Sequence, residues 1–425
     1  MDTKLRKEVD AIFVYVINKH GQPLMLCKPQ KARKLLKQRK AKVIKRTPFT
    51  IQLLYGSSGY KQPINLGVDT GYKSIGLSAT TKDKVLFEAE VKLREDIVNL
   101  LATRREFRRA RRNRKTRYRK PRFLNRGKTK GWLAPSVVNR IEAHLKAVRL
   151  VNVILPISKI IVEVAQFDIQ KIKNPDIQGK EYQQGEQMGF WNVREYVLWR
   201  DNHKCRLCNG KSKDPVLNVH HLESKKVGGN APNNLITLCE TCHKKYHQGI
   251  KPLPFKRGKS FKEATFMGVM RWAFYNKLKA QYPDVSLTYG YITKDTRINH
   301  LKLEKSHIID ARCISDNPLA KPLPNWYLIQ QVRGQNRQLH KRTIRKGGIR
   351  QANKAPKYVY GYQLFDKVLY RKQECFIFGR RSSGYFDLRL LDGTRVHASA
   401  KVKDLKLLEK AKTFLIERRQ GQFLP

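Results

Sequence analysis

The chain has 425 residues, and its 89 Lys+Arg against 34 Asp+Glu give a formal net charge of +55. At 40% hydrophobic and 9% aromatic it is long and apolar enough for two to four folded domains of ~100–200 residues, which excludes a disordered tail. Such a surplus repels itself unless a polyanion neutralises it, which points to nucleic acid, and no lipidation signal, long apolar run or secretory leader favours a membrane surface or export.

Residues 1–60 read as a small αβ unit, with an apolar β-branched strand Ile12–Ile17, a basic helical stretch Lys31–Lys40 and a strand Pro48–Leu54. The run Ile64–Val68 ends in Asp69-Thr70-Gly71 and is followed by Ser74–Ser78, which predicts a hairpin. Between Arg104 and Arg122, 12 of 19 residues are Arg or Lys. Leu100, Leu101, Phe107 and Ala110 give this tract a thin apolar stripe, so a helix is expected as far as Pro121. Like charges three and four apart destabilise an isolated helix, so a ligand should order it. Ten Arg to two Lys favours bidentate phosphate contact over a solvated basic face. The candidate contacts are Arg104, Arg105, Arg108, Arg109, Arg111, Arg112, Arg114 and Arg117.

Helical periodicity then runs over Ser136–Leu155 and stops at Pro156, and a strand Ile160–Val164 follows. Residues 168–200 are polar, ending in a helix Trp191–Trp199, and a Cys/His-rich module occupies about 201–249. Next come a helix near Phe261–Ala280, a strand Val285–Tyr289 and a helix Ser306–Ser315. From Asn317 to Phe365 there are ten basic residues and no acidic one. The tail, 358–413, reads as short strands, namely Val359–Tyr362, Gln373–Phe378 and Tyr385–Leu391.

Of seven cysteines, four fall in two C-x-x-C pairs, which reads as metal binding in a reducing compartment rather than a disulfide framework. Cys205, Cys208, Cys239 and Cys242 can supply four thiolates to a tetrahedral structural Zn2+ with no open position for catalysis. The 30 residues between the pairs exceed ordinary ribbon spacing, so something is inserted. The insert carries His220-His221 on a strand Val216–Leu222, then Gly228-Gly229-Asn230 and Asn233-Asn234-Leu235, before Cys242-His243. Two His at a strand end and a third on the following helix can meet at one divalent metal. On this reading His220 and His243 hold the metal and His221 is the general base. Asn234 is expected to fix the connecting loop and keep His221 aimed. The pattern C-x-x-C…HH…GG…NN-L…LC-x-x-CH, over Cys205–His247, resembles the HNH (ββα-metal) nuclease family, in which Asp often stands where this chain has His220.

A second constellation is scattered. Asp69 ends a strand in the context G-V-D-x-G-x-x-x-x-G-L-S, Glu163 sits in the apolar run Ile-Ile-Val-Glu-Val, and His307 and Asp310 share one helix face. Acids converging at strand ends and a helix are what a two-metal phosphodiester site needs. Asp168 is a spare acid, ranked below Glu163. Asp69's hairpin also suits sugar-kinase and actin-like ATPases, and Glu163 could lie on an edge strand. Together, with the HNH module between the second and third elements, these residues resemble a split RuvC (RNase H-like) nuclease.

The whole order resembles the IscB family of transposon-encoded RNA-guided nucleases, ancestral to the type II CRISPR effectors. Pro23-Leu24-Met25 matches the family's P-L-M-P start, with Leu26 in place of the last Pro. The resemblance implies an α/β multidomain fold, comprising an RNase H-like (RuvC) mixed sheet, an inserted ββα-metal HNH domain, an Arg-rich bridge helix and a small β-rich C-terminal domain. It divides the chain at 1–60, RuvC segments 61–93, 132–175 and 256–320, bridge helix 94–131, HNH 176–255 and a basic domain 321–425 that reads a target-adjacent motif. It further implies a guide RNA held by the bridge helix and a double-stranded DNA target. HNH would cut the guide-paired strand and RuvC the displaced one. Asp69, Glu163, Asp310, His220 and His243 would hold Mg2+ or Mn2+, and His307 would join the RuvC acids as a catalytic residue. The protein would be a cytoplasmic, nucleoid-acting monomer within a ribonucleoprotein. An unguided HNH endonuclease of restriction or homing type, and a non-catalytic nucleic-acid-binding protein, are the competing readings. The first leaves the scattered acids and the Arg-rich tract unexplained, and the second leaves both clusters unexplained.

Overall fold

A computed structural model describes residues 13–57, 59–112, 131–164, 187, 189–225, 229–258, 262–334, 343–344, 350–351 and 356–421. The chain divides into two compact units, one of Met1–Glu95, Pro121–Ala165 and Val269–Pro425, the other of Asp96–Lys120 and Gln166–Gly268. In chain order the first opens with β1 (Val14–Ile17), β2 (Pro23–Cys27), α1 (Pro29–Lys37), β3 (Ala41–Lys45), β4 (Thr50–Leu53), β5 (Asn65–Asp69), β6 (Ser74–Thr80) and β7 (Val85–Lys92). The helix α2 (Ile97–Arg112) opens the second, and α3 (Pro135–Asn152) and β8 (Lys159–Glu163) return to the first. The second unit continues with α4 (Val193–Arg200), β9 (Leu217–His221), β10 (Leu235–Cys239) and α5 (Glu240–His247). After α6 (Lys262–Lys279) come β11 (Val285–Thr288), α7 (Gly290–Asp295), α8 (His307–Ile314) and β12 (Asn325–Gln331). A two-residue ladder, β13 (Thr343–Ile344) with β14 (Arg350–Gln351), precedes β15 (Lys367–Tyr370), β16 (Gln373–Arg380), β17 (Tyr385–Arg389), β18 (Arg395–Lys401), β19 (Lys406–Glu409) and β20 (Phe414–Gln420).

Among the described residues the first unit holds, besides the β13–β14 ladder, three larger sheets ordered β2-β1-β4-β3, β11-β8-β5-β6-β7-β12-β20 and β18-β17-β16-β15-β19. In the seven-stranded sheet β5, β6 and β7 form an antiparallel meander. β8 runs parallel to both β5 and β11. β5 and β6 read as near-continuous apolar runs because the sheet is buried there on both faces. Both α3 and α8 pack on β6. The helix α8 lies unusually close, since a Cβ at Gly67 would overlap the carbonyl of Ala311 and one at Gly76 the carbonyl of His307. Only glycine allows that approach. The three sheets are joined by polar contacts. Tyr15 Oη donates to the Leu86 carbonyl at 3.0 Å, Glu374 pairs with Arg46 at 3.0 Å, and Lys367 Nζ donates to Thr47 Oγ1 at 2.8 Å.

The second unit has a small core of Cys205, Ile236, Leu238, Cys239 and Cys242 beneath the β9–β10 hairpin. Leu235 pairs with His221 and Ile236 with His220 in that ladder. Among the described residues, no helix is long and apolar enough to cross a membrane.

The mixed α/β character agrees with the sequence reading, with three differences. Val359–Tyr362 is a tight turn closed by one antiparallel bridge, not a strand, because Tyr360 and Gly361 both have positive φ (47° and 77°). Asn325–Gln331 and Phe414–Gln420, counted with the C-terminal domain or its tail, instead pair in the seven-stranded sheet. Glu163 is not on an edge, since β8 lies between β5 and β11. The helix expected to reach Pro121 is described only to Arg112, and the rest of that expectation lies outside the described residues.

Candidate functional site

In the second unit the two C-x-x-C pairs converge, with the four Sγ atoms within 4.8 Å of one another. Cys208 Sγ and Cys239 Sγ are 3.9 Å apart, close to the roughly 3.8 Å edge of a tetrahedron with Zn–S bonds of ~2.3 Å. Burial, then the neighbouring thiols, pushes the Cys242 thiol far up. Cys208 is only partly buried; the upward push of that burial is outweighed by the Ser212 hydroxyl and backbone, which hold the thiol down to about 6. Four sulfurs this close can all be thiolates only against a dication, so this donor set fits structural zinc.

The imidazoles lie on the same ββα element. His220, on β9, is buried, and His243 and His247 stand one turn apart on α5. Their ligand nitrogens lie within 4.8 Å of one another, and His243 Nε2 is 3.2 Å from His247 Nε2. His220 Nε2 is buried without a hydrogen-bond partner. Burial, followed by His243, His247 and His221, pushes His220 down to about 4, so near neutral pH it carries a free lone pair. An orphaned buried nitrogen facing two more imidazoles fits a divalent ion. His247 was not among the sequence candidates, although its i+4 spacing from His243 on a helix was the available signal. Of the expected Mg2+ or Mn2+, three imidazole nitrogens suit the transition-metal dication better, because Mg2+ prefers oxygen ligands.

His221 sits beside this group with Nε2 3.0 Å from Asn230 Oδ1. The amide oxygen can only accept, so Nε2 carries a hydrogen, and in the neutral tautomer that this bond selects the lone pair lies on Nδ1. The fully buried Asn234 accepts from Glu223 N (2.8 Å) and donates to the carbonyls of Glu223 and Gly229 (both 3.0 Å). Asn234 thus ties down the loop that carries Asn230, and Asn230, missed in the sequence, makes the contact with His221.

In the first unit the β5–β8 register pairs Val68 with Val162, which brings the next residues, Asp69 and Glu163, to the same end of parallel neighbours. Thr70 Oγ1 donates to the Glu163 carbonyl at 2.8 Å. From α8, His307 Nδ1 lies 2.5 Å from Asp69 Oδ2, and this bond leads in raising the His307 pKa. Burial first, and then the charges of Asp69 and Asp310, pushes Glu163 up to about 7. Asp310 is raised by burial and by Asp69. Carboxyls that disfavour one another's ionisation in a half-buried site fit oxygen-seeking divalent cations. The structure therefore brings Asp69, Glu163, His307 and Asp310 together. Asp168 lies outside the described residues. Arg297, buried and 2.9 Å from Asp310 Oδ1, had no sequence signal, because α7 and the turn after it bring it back onto α8.

Of the arginine candidates, Arg104 and Arg105 are exposed on α2, and Arg108, Arg109, Arg111 and Arg112 lie on its last turns. Arg114 and Arg117 lie outside the described residues.

A family model described as "HNH endonuclease" matches residues 205–249, the segment holding both metal-ligand groups. Another, "RRXRR protein", matches residues 14–185, where the chain reads Arg108-Arg109-Ala110-Arg111-Arg112. No curated protein matches the chain. Among solved structures, crystal structures of Streptococcus thermophilus Cas9 in complex with the AGAA, AGGA and GGAA PAMs are similar at 11, 13 and 14% identity and a TM-score of 0.28. They cover 44, 43 and 44% of this chain, which spans 26% of the length of each. The chain carries an HNH endonuclease domain.

Proposed function

We propose that the protein is an RNA-guided DNA endonuclease of the IscB kind, with HNH cutting the guide-paired strand and a RuvC-like site cutting the displaced one. One observation carries the reading. A second acidic constellation, Asp69, Glu163, His307 and Asp310, gathers at one end of a sheet whose chain is interrupted between Glu163 and Asp310 by the unit holding the HNH domain. An unguided HNH enzyme has no use for that second site or for the basic tract.

In the HNH domain, His221 would take the proton of the attacking water at Nδ1 while Asn230 holds Nε2–H. His220, His243 and His247 would hold a divalent ion that polarises the scissile phosphate and stabilises the leaving oxygen. At the sheet, Asp69, Glu163 and Asp310 would supply oxygen ligands to Mg2+ or Mn2+, and His307, hydrogen-bonded to Asp69, would position that carboxylate or move a proton. The bridge helix, within 94–131, would grip the RNA through its arginines. The basic β domain would read a short motif beside the target.

Co-purifying nucleic acid tests the reading. A defined RNA species bound to protein purified from its host supports guidance. Protein free of RNA that still cuts DNA leaves an unguided HNH nuclease.

A further inference from the structure

The turn leaving β11 carries two tyrosines on either side of Gly290. Tyr289 and Tyr291 are 51% and 72% exposed, with rings inclined by only 13° and centroids 6.1 Å apart. Among the described residues neither phenol makes a hydrogen bond, so neither ring is anchored as a structural tyrosine usually is. Gly290 between them abuts the acidic site, since a Cβ there would lie 3.0 Å from Glu163 Oε1. Ile292, one residue on, is also exposed. Two unanchored aromatic faces thus flank a backbone point that touches a carboxylate of the phosphodiester site.

We infer that Tyr289 and Tyr291 form a stacking platform that seats an unpaired base of the displaced DNA strand beside the phosphate being cut. The inference rests on the proposed reading of the acidic site and adds how that site chooses its strand. In a duplex each base face is covered by its neighbours, so an aromatic ring can engage only a strand that has lost its partner. Stacking is tolerant of base identity, because every base has a π-face. Rings carried on either side of Gly290, whose Cβ position lies 3.0 Å from Glu163 Oε1, would fix which phosphate reaches the carboxylates without reading sequence. The surplus of positive charge holds the backbone, and the rings hold the register.

The test uses the full-length, RNA-loaded protein and a matched duplex with each strand labelled separately. Tyr289→Ala with Tyr291→Ala should lower kcat/KM for the displaced-strand cut by roughly ten- to a hundredfold, the worth of one stacked base, and leave the guide-paired cut unchanged. Tyr289→Phe with Tyr291→Phe should restore wild-type rates, which separates stacking from hydroxyl chemistry. An abasic nucleotide scanned along the displaced strand should slow the wild-type enzyme at one or two positions beside the cut, and should cost the alanine variant nothing more. Full displaced-strand cutting by the alanine variant, failure of the Phe variant to restore it, or an abasic scan without effect on wild type would each overturn the platform. Should the alanine variant fail to fold, the wild-type abasic scan decides alone. Asp69→Ala is the control for the underlying reading. If it spares displaced-strand cutting, the acidic site was misassigned, and if it abolishes cutting while the alanine variant does not, only the platform fails.

Discussion

Arg312 and Glu88 make a buried ion pair with Nη2 to Oε1 at 2.7 Å and side chains only 7% and 1% exposed. It ties α8, which carries His307 and Asp310, to β7. Replacing Arg312 with Met removes the cation and leaves the carboxyl of Glu88 in the core. Burial already raises that carboxyl's pKa, and Arg312 is the chief opposing influence. Breaking one side of such a pair costs about 3–5 kcal/mol. At about 2–4 °C per kcal/mol for a domain of 150–250 residues, the melting temperature of the first unit should fall by roughly 6–20 °C, toward the low end because this unit is larger. Replacing both residues, Glu88→Leu with Arg312→Met, removes the uncompensated charge and should recover most of the loss. Thermal melts of wild type, both single variants and the double variant give the cycle, with strand-specific cutting below the melt as a second reading. The displaced-strand cut should weaken in Arg312→Met while the guide-paired cut persists. A double variant as unstable as the worse single variant would refute the argument that stranded charge is what costs stability.

Four further predictions follow from the sites. His221→Ala should abolish the guide-paired cut alone and Asp69→Ala the displaced-strand cut alone on a two-strand-labelled duplex, and loss of both cuts in either would contradict two independent centres. His247→Ala should weaken Mn2+ or Ni2+ binding at the imidazole site by calorimetry while the protein keeps one zinc by elemental analysis; unchanged binding would remove His247 from the ligand set. Arg108, Arg109, Arg111 and Arg112 changed together to Gln should make the slope of log RNA affinity against log salt shallower by about three, and an unchanged slope would make the tract a solvated face. His144 is fully buried, with Nδ1 2.8 Å from the Arg140 carbonyl, and burial pushes it down to about 4. Its folded pKa lies below the unfolded value of ~6.5, so its contribution is full above that value and is lost as pH falls toward 4, by up to about 3 kcal/mol. Urea midpoints between pH 7.5 and 4.5 should therefore fall more steeply in wild type than in His144→Gln.

Local chemistry was legible in the sequence where neighbouring residues do the work. The C-x-x-C pairs, the His220-His221 doublet and Asp69 at a strand end are each short patterns, and each has a counterpart in the described structure. Asn234 was assigned to the loop from position alone, and its three hydrogen bonds all go to that loop. His247 carries the same kind of short-range signal, four residues after His243 on one helix. Arg297 and the Arg312–Glu88 pair had no such signal. Each partner lies on a different element, and the pairing exists only once α8 is seated over Gly67 and Gly76. The strands β12 and β20 were hidden for the same reason. Asn325–Gln331 pairs with Ala89–Lys92 and with Phe414–Gln420, partners far away in the chain, so period and propensity cannot say which sheet they join.

The place of the interruption has a physical basis as well. β8 and β11 are parallel neighbours, with Ile160 paired to Val285, and a parallel pair cannot be joined by a tight turn. Some crossover of a dozen or more residues is needed there in any case. The chain between Val164 and Val285 is 120 residues long, about three doublings beyond a minimal crossover. Each doubling of a flexible loop costs only about 0.6 kcal/mol, so even an unfolded insert of this length would cost the sheet roughly 2 kcal/mol. Here much of the insert forms a compact unit with its own core and cysteine cluster, which shortens the flexible length further. The antiparallel β5–β6–β7 meander offers no such place, because its short turns keep Asp69 and the strands beside it in register. The HNH unit can therefore sit between Glu163 and Asp310 at little cost to the sheet that aligns them, which is why, on the proposed two-site reading, either centre should be alterable without the other.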